Sequence, residues 1–287
     1  MRKALLRATM LAVLVGTMPA AAPAAAGDCA AIAARAAAAW RAKSVVSGLS
    51  GIDAATAACV QKTLVKDLAP DAGAPVGYKV GLTGKAMQER LGVDHPVAGV
   101  LLSRMLLDPG TPIPAGYAAR PLVEADLVAV IGDAGINQAK TPAEVLAHLS
   151  ALRPFVELAD LALPADEKPT AASITAVNVG ARLGVLGEPI AIEPGMADRL
   201  ATMQVSLTDG SGKVLAEAPG TSILGHPLNA VIWLTQDLAA RGEALRPGQL
   251  VSLGSFGPPA QPVSGGTVTV RYDGLSAAPV ALSVRFE

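Results

Sequence analysis

Residues 122–131 read Leu-Val-Glu-Ala-Asp-Leu-Val-Ala-Val-Ile, and they decide the fold because they predict a largely buried strand. Side chains two residues apart on a strand point to the same face, so Glu124 and Asp126 project side by side. Glu157 stands in a similar apolar run at residues 154–159. Burying several carboxylates without compensation is very costly. The three acids therefore either face water as ordinary surface charge or share a bound cation, and these residues alone leave both interpretations open.

The composition provides ample apolar material for a core. The chain has 287 residues, of which 51% are hydrophobic and 16% charged, and its mean hydropathy is +0.43. This length fits one large domain with a small appendage. Aromatic residues make up only 3%, the formal net charge is −1, and no run of Lys and Arg occurs. These features argue against a nucleic-acid partner, which would need basic patches or stacking platforms.

Residues 1–26 have the features of a cleavable secretory signal peptide. Arg2 and Lys3 form a basic start, residues 10–17 are mostly apolar, and three alanines end the segment at Ala26. The apolar part is short for a membrane span, so we expect cleavage near Ala26 rather than a retained anchor. The mature protein is then predicted to be periplasmic or secreted, with no membrane association after cleavage.

The two cysteines, Cys29 and Cys59, suit an exported protein. Each belongs to a stretch that is predicted to be helical, and antiparallel packing of the two helices could bring the thiols together. A disulfide is permitted in the periplasm. Two buried free thiols are the alternative, and the sequence does not decide between them.

The chain divides into a helical N-terminal region and a strand-rich remainder. Residues 27–76 are rich in alanine and predict two helices, the second of which is capped by Asp53. From residue 77 to residue 287, short apolar runs alternate with Gly and Pro, as in strands joined by turns. We therefore predict an α+β fold with a rolled or barrel-like sheet.

Several common functional motifs are absent from the sequence. There is no Gly-x-Ser-x-Gly elbow of a hydrolase triad. Residues 81–86 contain two glycines and a lysine, but the glycines are too close for a phosphate-binding loop and Ala86 replaces the required hydroxyl residue. No Cys and His residues have the spacing of a zinc site.

What remains is an ordered set of polar residues in glycine-framed segments. The most specific are residues 77–83, Gly-Tyr-Lys-Val-Gly-Leu-Thr, and residues 224–234, Leu-Gly-His-Pro-Leu-Asn-Ala-Val-Ile-Trp-Leu. With the spaced acids, they resemble the 2-keto-4-pentenoate hydratase branch of the fumarylacetoacetate hydrolase superfamily. The resemblance runs from about Gly51 to the C-terminus. It implies a mixed β-roll of the fumarylacetoacetase type, assembled as a homodimer or a larger homo-oligomer.

The resemblance also implies a metal-dependent active site. Glu124, Asp126 and Glu157 match the metal-binding carboxylates of the family, with Asp126 at a position where the hydratases typically have Glu. Oxygen ligands of this kind suit Mg²⁺ or Mn²⁺. Lys79 matches the active-site lysine. A 2-oxo acid substrate would chelate the cation, which would stabilise the enolate formed at C3, while Lys79 would add positive charge or act as an acid or base. Hydration, C–C hydrolysis and decarboxylation all share this enolate.

The chain departs from the hydratase pattern at three positions. Val97 stands where an acidic residue is general, Gly180 replaces a serine and Leu253 replaces a threonine. We hypothesise that His95 supplies the missing acid or base, the alternative being an exposed loop histidine.

Two further residues are candidate substrate ligands. They are Asn178, which could instead satisfy backbone groups, and Ser255, which flanks the position of the lost threonine. His226 precedes a predicted helix and is interpreted as a structural brace of that turn.

Three functions follow from this site. The first is a hydratase that acts on a small 2-hydroxy-dienoic or 2-oxo acid. The second is a hydrolase of acylpyruvate-type compounds or a 2-oxo acid decarboxylase. The third is a non-catalytic periplasmic protein that keeps the metal and the 2-oxo acid but has lost turnover. Loss of the polar groups at Val97, Gly180 and Leu253 keeps the third open, whereas Lys79 argues against it.

Overall fold

A computed structural model describes residues 26–287, so the predicted signal peptide lies outside the described residues apart from Ala26. The helices are α1 Ala26–Ala42, α2 Ala54–Ala72, α3 Lys85–Leu91, α4 Pro142–Ala147, α5 Ala171–Ala176, α6 Met196–Thr202 and α7 Asn229–Ala240. The strands are β1 Pro75–Gly81, β2 Val97–Leu102, β3 Leu106–Leu107, β4 Pro121–Ile131, β5 Leu149–Asp160, β6 Leu183–Leu186, β7 Gln204–Asp209, β8 Val214–Pro219, β9 Leu250–Ser252, β10 Thr267–Asp273 and β11 Val280–Arg285.

The strands form two sheets. A seven-stranded sheet has the order β2-β1-β9-β4-β5-β6-β3, and a four-stranded antiparallel sheet has the order β11-β10-β7-β8. In the larger sheet, β1 pairs with β9 and β3 pairs with β6 in parallel, whereas its other pairs are antiparallel. The mixed sheet with flanking helices confirms the predicted α+β class.

The main hydrophobic core lies on one face of the larger sheet. Leu127 and Val156, from the central strands β4 and β5, share an apolar cluster with Leu207 and Val270 from the smaller sheet and with Leu234 from α7. Alternate residues of β4, including Glu124 and Asp126, point away from this core, as the two-residue period requires. The opposite face of the larger sheet is therefore the face that carries the acids.

The N-terminal helices occupy most of the region predicted to be helical, residues 27–76, and β1 begins within its last two residues. Asp53 caps α2 by accepting a hydrogen bond from the Thr56 N–H at 2.7 Å, as predicted. Both helices belong to a second apolar cluster, which also contains Ala176 of α5. The two helices are thus packed against the strand-rich part of the chain. Within residues 26–287, no helix is both long enough and apolar enough to cross a membrane.

A disulfide joins α1 to α2. The Sγ atoms of Cys29 and Cys59 are bonded, and the two Cα atoms are 6.0 Å apart, which is within the usual range for a disulfide. The bond closes a loop with a sequence separation of 30 residues. Cross-linking two helices of the same cluster restricts the unfolded chain, so the bond is expected to stabilise this part of the protein.

Replacing both cysteines tests that contribution. We expect Cys29→Ser/Cys59→Ser to lower the free energy of unfolding by about 3 kcal/mol, because the unfolded chain regains the entropy that the closed loop removes. Urea unfolding of the purified protein measures the change. A reductant should destabilise the wild type to a similar extent and leave the double variant unaffected. A wild type that is insensitive to the reductant, while remaining reduced throughout, would contradict the expectation.

Candidate active site

Three acidic side chains share one face of the larger sheet. Glu124 of β4 lies directly opposite Glu157 of β5 in the antiparallel register, and Asp126 lies two residues further along β4. Glu157 and Asp126 are buried, with exposed fractions of 2% and 0%, whereas Glu124 is partly exposed. The structure therefore excludes the interpretation that all three are ordinary surface charges.

Lys79 reaches the same face from a more distant strand. It lies beside Ser252 in the register of β1 with β9, and Ser252 lies beside Val128 in the register of β9 with β4. The Lys79 side chain therefore points to the face that carries the acids, where its Nζ forms an ion pair with Glu157. Only 4% of Lys79 is exposed, so the lysine is not a surface residue.

The Asp126 carboxylate is held by hydrogen bonds. Its Oδ1 accepts from the backbone N–H groups of Leu127 at 2.6 Å, Gly254 at 3.0 Å and Leu253 at 3.1 Å. Its Oδ2 accepts from the Ser252 hydroxyl. Three donors saturate Oδ1, whereas Oδ2 has one donor and keeps acceptor capacity. Asp126 thus ties the segment after β9 to β4.

Burial and mutual repulsion shift the pKa values of this cluster. Burial, together with the negative charge of Glu157, raises the pKa of Glu124 to about 7, although Lys79 opposes the shift. Burial and Glu157 also raise the pKa of Asp126. For Lys79, burial lowers the pKa, but the carboxylates of Glu157 and Glu124 outweigh it and raise the pKa overall. The lysine is therefore protonated at neutral pH.

The charge of this cluster favours a divalent cation, but its geometry is not that of a three-ligand site. Three carboxylates against one ammonium leave two uncompensated negative charges when all groups are ionised, and carboxylate oxygens are preferred ligands of Mg²⁺. However, among the side chains that the structure describes, no three His, Cys, Asp or Glu groups are arranged so that they could hold a metal ion. The hydrogen bonds to residues 252–254 direct Asp126 to the backbone. Glu124 and Glu157 are thus the principal candidate ligands, and Asp126 could add only Oδ2.

Comparison with known proteins identifies the family. No family model matches the chain. Over 203 residues, the chain is 32% identical to the 2-keto-4-pentenoate hydratase of Burkholderia vietnamiensis (strain G4 / LMG 22486), an alignment that covers 70% of this chain and 76% of the relative. The chain belongs to the 2-keto-4-pentenoate hydratase family. The chain is also 32% identical to the TodF product hydratase of Pseudomonas putida F1, over 72% of this chain and 76% of that relative.

The chain is also similar to proteins that are not named hydratases. A 4-oxalocrotonate decarboxylase of Pseudomonas putida is 28% identical over 74% of this chain and 77% of its own length. The structure of the 4-oxalocrotonate decarboxylase from Pseudomonas putida G7, complexed with magnesium and adipate, has a TM-score of 0.80 and 24% identity, and covers 91% of this chain and 98% of that protein. These likenesses confirm the mixed fold of the fumarylacetoacetate hydrolase superfamily that the hydratase resemblance implied.

Val97, where the family resemblance led us to expect an acidic residue, lies on a strand next to that of the lysine. Val97 lies opposite Gly81 in the register of β2 with β1, and Gly99 lies opposite Lys79. Val97 therefore points to the same face of the sheet as Lys79, two residues along the strand, and it is buried. Val97 thus places an apolar side chain, and no titratable group, at this position of the face.

The other two departures have separate causes. At Gly180, φ is +67°, and a Cβ built there would lie 2.9 Å from the Asp160 carbonyl oxygen, so a serine does not fit this turn as it stands. Leu253 places its side chain in the main core and reaches the site only through its N–H. A single serine or threonine substitution would therefore not rebuild the hydratase pattern.

The geometry does not support the prediction that the Asn178 side chain binds substrate. Its Oδ1 accepts from the Val100 N–H at 2.8 Å, and its Nδ2 donates to the Val100 carbonyl at 2.9 Å. Gln61 Nε2 donates a further bond to Oδ1 at 3.3 Å. Asn178 is 1% exposed, so its amide serves as a substitute partner for the backbone of β2. This is the alternative that the sequence left open.

The remaining predicted residues are not brought to the carboxylates by any contact in the structure. His95 is exposed, and its Nδ1 donates to the Pro96 carbonyl at 2.8 Å, which matches the exposed-loop alternative. The Ser255 hydroxyl donates to the Gly257 carbonyl at 3.0 Å. His226 behaves as the predicted brace, since Nε2 donates to the Ala197 carbonyl and Nδ1 accepts from the Leu228 N–H.

Two residues near the site, Tyr117 and Gln61, are not indicated by any pattern in the sequence. Tyr117 is buried and donates a 2.5 Å hydrogen bond to the Leu122 carbonyl, and burial together with the charges of Glu124 and Glu157 raises its pKa. Both residues stand alone in segments without a motif, so only their positions in the folded chain reveal them.

Removing the lysine charge tests the electrostatics of the cluster. In the absence of added divalent ions, we expect Lys79→Met to lower the free energy of unfolding at pH 8 by about 3 kcal/mol, because Glu157 is left buried without its counter-charge. Lys79 also lowers the pKa of Glu124 and of Asp126, so its loss raises both further above their unfolded values, and the destabilising effect therefore grows as the pH rises and is smaller at pH 5.5. Urea unfolding at both pH values measures the difference.

The exposed Lys85 provides the matched control, since 88% of its side chain is accessible to solvent. Lys85→Met should leave the free energy of unfolding nearly unchanged at either pH. An equal loss of stability at pH 5.5 and pH 8 for Lys79→Met would show that packing of the lysine stem, rather than its charge, is responsible.

Proposed function

We propose that the protein is a metal-dependent hydratase that acts on a small 2-hydroxy-dienoic or 2-oxo acid through an enolate. The observation that carries this proposal is the buried ion pair of Lys79 with Glu157, which lies opposite Glu124 on one sheet face. Membership of the hydratase family supports the reaction class. Carboxylates of perturbed pKa beside a buried lysine are typical of a catalytic site.

Glu124 and Glu157 are the residues that would hold the cation, which we propose to be Mg²⁺ or Mn²⁺. A bound divalent ion would polarise the carboxylate and keto oxygens of the substrate and favour its enolate. The negative charge that accumulates on this face supports such an ion. So do solved structures of the same fold, in which the decarboxylase holds magnesium or calcium and a fumarylpyruvate hydrolase from Pseudomonas aeruginosa holds Mn²⁺ with pyruvate.

Lys79 has the role of a charged hydrogen-bond donor. Its raised pKa keeps Nζ protonated at neutral pH, so Lys79 can stabilise the negative oxygen of an enolate. Its low exposure strengthens this interaction, because few waters compete. Proton transfer to a distal carbon needs a second group, and the exposed position of His95 makes it a poor candidate for that step.

Decarboxylation of a 2-oxo acid is the second candidate, and a specific observation favours it. Addition of water to a distal double bond requires a proton-transfer group beyond Lys79, where the structure has Val97. Decarboxylation requires only that the enolate left by loss of CO₂ is stabilised. The likeness in sequence to a 4-oxalocrotonate decarboxylase supports this alternative.

We also propose that the mature protein is exported and forms a homodimer or a larger homo-oligomer. The bonded cysteines support an oxidising compartment such as the periplasm, and the sequence of residues 1–26 supports a signal peptide. The oligomer rests on the family resemblance. Gel filtration with light scattering, and N-terminal sequencing of protein recovered from the periplasm, test the two parts.

Turnover of a dienol tests the function. Purified protein with Mg²⁺ is expected to remove the ultraviolet absorbance of 2-hydroxypenta-2,4-dienoate and to form a hydrated product. Lys79→Met should reduce kcat by about 10²-fold or more, because a charged donor to the enolate is lost. Lys85→Met, which removes the same charge from the surface, serves as the control and should leave kcat unchanged.

Mass spectrometry of the products separates the two candidates. A gain of one water by the dienol identifies hydration, whereas release of CO₂ from 4-oxalocrotonate identifies decarboxylation. If neither compound is consumed in the presence of Mg²⁺ or Mn²⁺, the hydratase and this decarboxylase reaction are both wrong, and the non-catalytic binding protein becomes the better interpretation.

Metal binding should depend on pH in a defined direction. Because the pKa of Glu124 is about 7 without a metal, a proton competes with the cation below that value. We expect the apparent affinity for Mn²⁺ to fall by up to about tenfold per pH unit below pH 7 for each proton displaced, and to level off above it. Electron paramagnetic resonance of free Mn²⁺ at pH 6, 7 and 8 measures this. Glu124→Gln should bind more weakly and with a smaller slope, and equal wild-type affinity at pH 6 and pH 8 would contradict the assignment.

A further inference from the structure

Gln61 is a buried polar residue on a largely apolar helix face. It lies on α2 beside Val60, and only 6% of it is exposed. Its Nε2 donates to the Ala98 carbonyl of β2 at 2.7 Å and to Asn178 Oδ1 at 3.3 Å. A single amide group thus connects the N-terminal helices both to a strand of the larger sheet and to the turn at residues 178–180.

That turn has an unfavourable backbone conformation. Asn178 and Val179 have φ of +55° and +54°, in the left-handed region. Asparagine tolerates this region, but a β-branched residue such as valine is a genuine outlier there. Such a conformation persists only where the surrounding contacts hold it. Here those contacts are the hydrogen bonds of Asn178 to Val100 and to Gln61.

The turn brings Val179 and the stem of Lys79 to the same glycine. A Cβ built on Gly81 would lie 2.5 Å from Val179 Cγ1. A Cβ built on Gly99 would lie 2.9 Å from Lys79 Cγ and 3.1 Å from Val179 Cβ. The two glycines therefore leave open the space that Val179 and the stem of Lys79 share on the carboxylate face of the sheet. Val179 therefore borders the space in which that stem lies.

We propose that Gln61 is a positioning residue for Lys79. By holding Asn178, it keeps Val179 against the lysine stem and so keeps Nζ directed at Glu157. The helix that carries Gln61 is itself fixed, because Cys59, two residues before Gln61, is bonded to Cys29, and Leu64 and Leu68 further along the helix are buried. The effect of Gln61 on turnover rests on the proposed function, whereas its effect on the location of Lys79 does not.

The test replaces the amide with an apolar side chain of similar length. Gln61→Met removes the donor to Ala98 and Asn178. We expect kcat to fall roughly tenfold or more with KM for the dienol unchanged, because Lys79 is displaced relative to the reacting atoms. Independently of activity, Lys79 should become more reactive to acetic anhydride, with a labelling rate at least about threefold higher by peptide mass spectrometry, since local opening exposes buried groups.

Val60→Ala is the matched control on the same helix. It removes buried apolar volume next to Gln61 and lowers the melting temperature, but it leaves the amide in place. We expect its kcat and its Lys79 labelling rate to stay near those of the wild type. Gln61→Glu is a second variant of nearly the same size whose carboxylate cannot donate to Ala98, and it serves where Gln61→Met does not fold. It should reproduce both effects.

Each outcome has a defined meaning. Wild-type labelling of Lys79 in Gln61→Met, or an equal rise in Val60→Ala, would overturn the proposal. Faster labelling without a change in kcat, in a protein that turns over the dienol, would also overturn it, because positioning would then be irrelevant to the reaction. If the wild type has no turnover with either substrate, the proposed function fails and the labelling rates alone decide whether Gln61 positions Lys79.

Discussion

Burial of negative charge on one sheet face is the constraint on which the rest of the structure depends. The three acids differ in how their charge is compensated. Glu157 is paired with Lys79, Asp126 is bonded to backbone N–H groups and to the Ser252 hydroxyl, and Glu124 has a pKa of about 7. Because only Glu124 lacks a fixed compensating partner among these, it is the group whose charge a bound cation would most directly stabilise.

The part of the site that lies on adjacent strands could be predicted from the sequence. The period of a strand places Glu124 and Asp126 on one face, and Glu157 follows because β4 and β5 form an antiparallel pair. The pairing of Lys79 with Glu157 could not be predicted in this way. It depends on β9, a three-residue strand from the far end of the chain that is inserted between β1 and β4. Its short apolar sequence contains nothing that specifies those neighbours.

Outside the strands, residue type alone leaves the role of a polar side chain open. Asn178 has the chemistry of a substrate ligand, but an amide can equally replace a missing strand partner, and here it binds both backbone groups of Val100. The decisive information was the left-handed backbone at residues 178–180, which the sequence suggests only through Asn and Gly on either side of Val179. Val179 itself is the least expected residue in such a turn.

The contacts of the helical N-terminal region show that it supports the rest of the fold. The sequence predicts an appendage of alanine-rich helices. In the structure, α2 is hydrogen-bonded to β2 and to the turn at residues 178–180, and β2 pairs with the strand that carries Lys79. A strained turn can be maintained only by a support that is itself rigid. The disulfide and the apolar packing of α2 provide that rigidity without contributing any group to the reaction. Residues 27–76 are thus joined by hydrogen bonds to the strand and the turn that lie beside β1, the strand of Lys79.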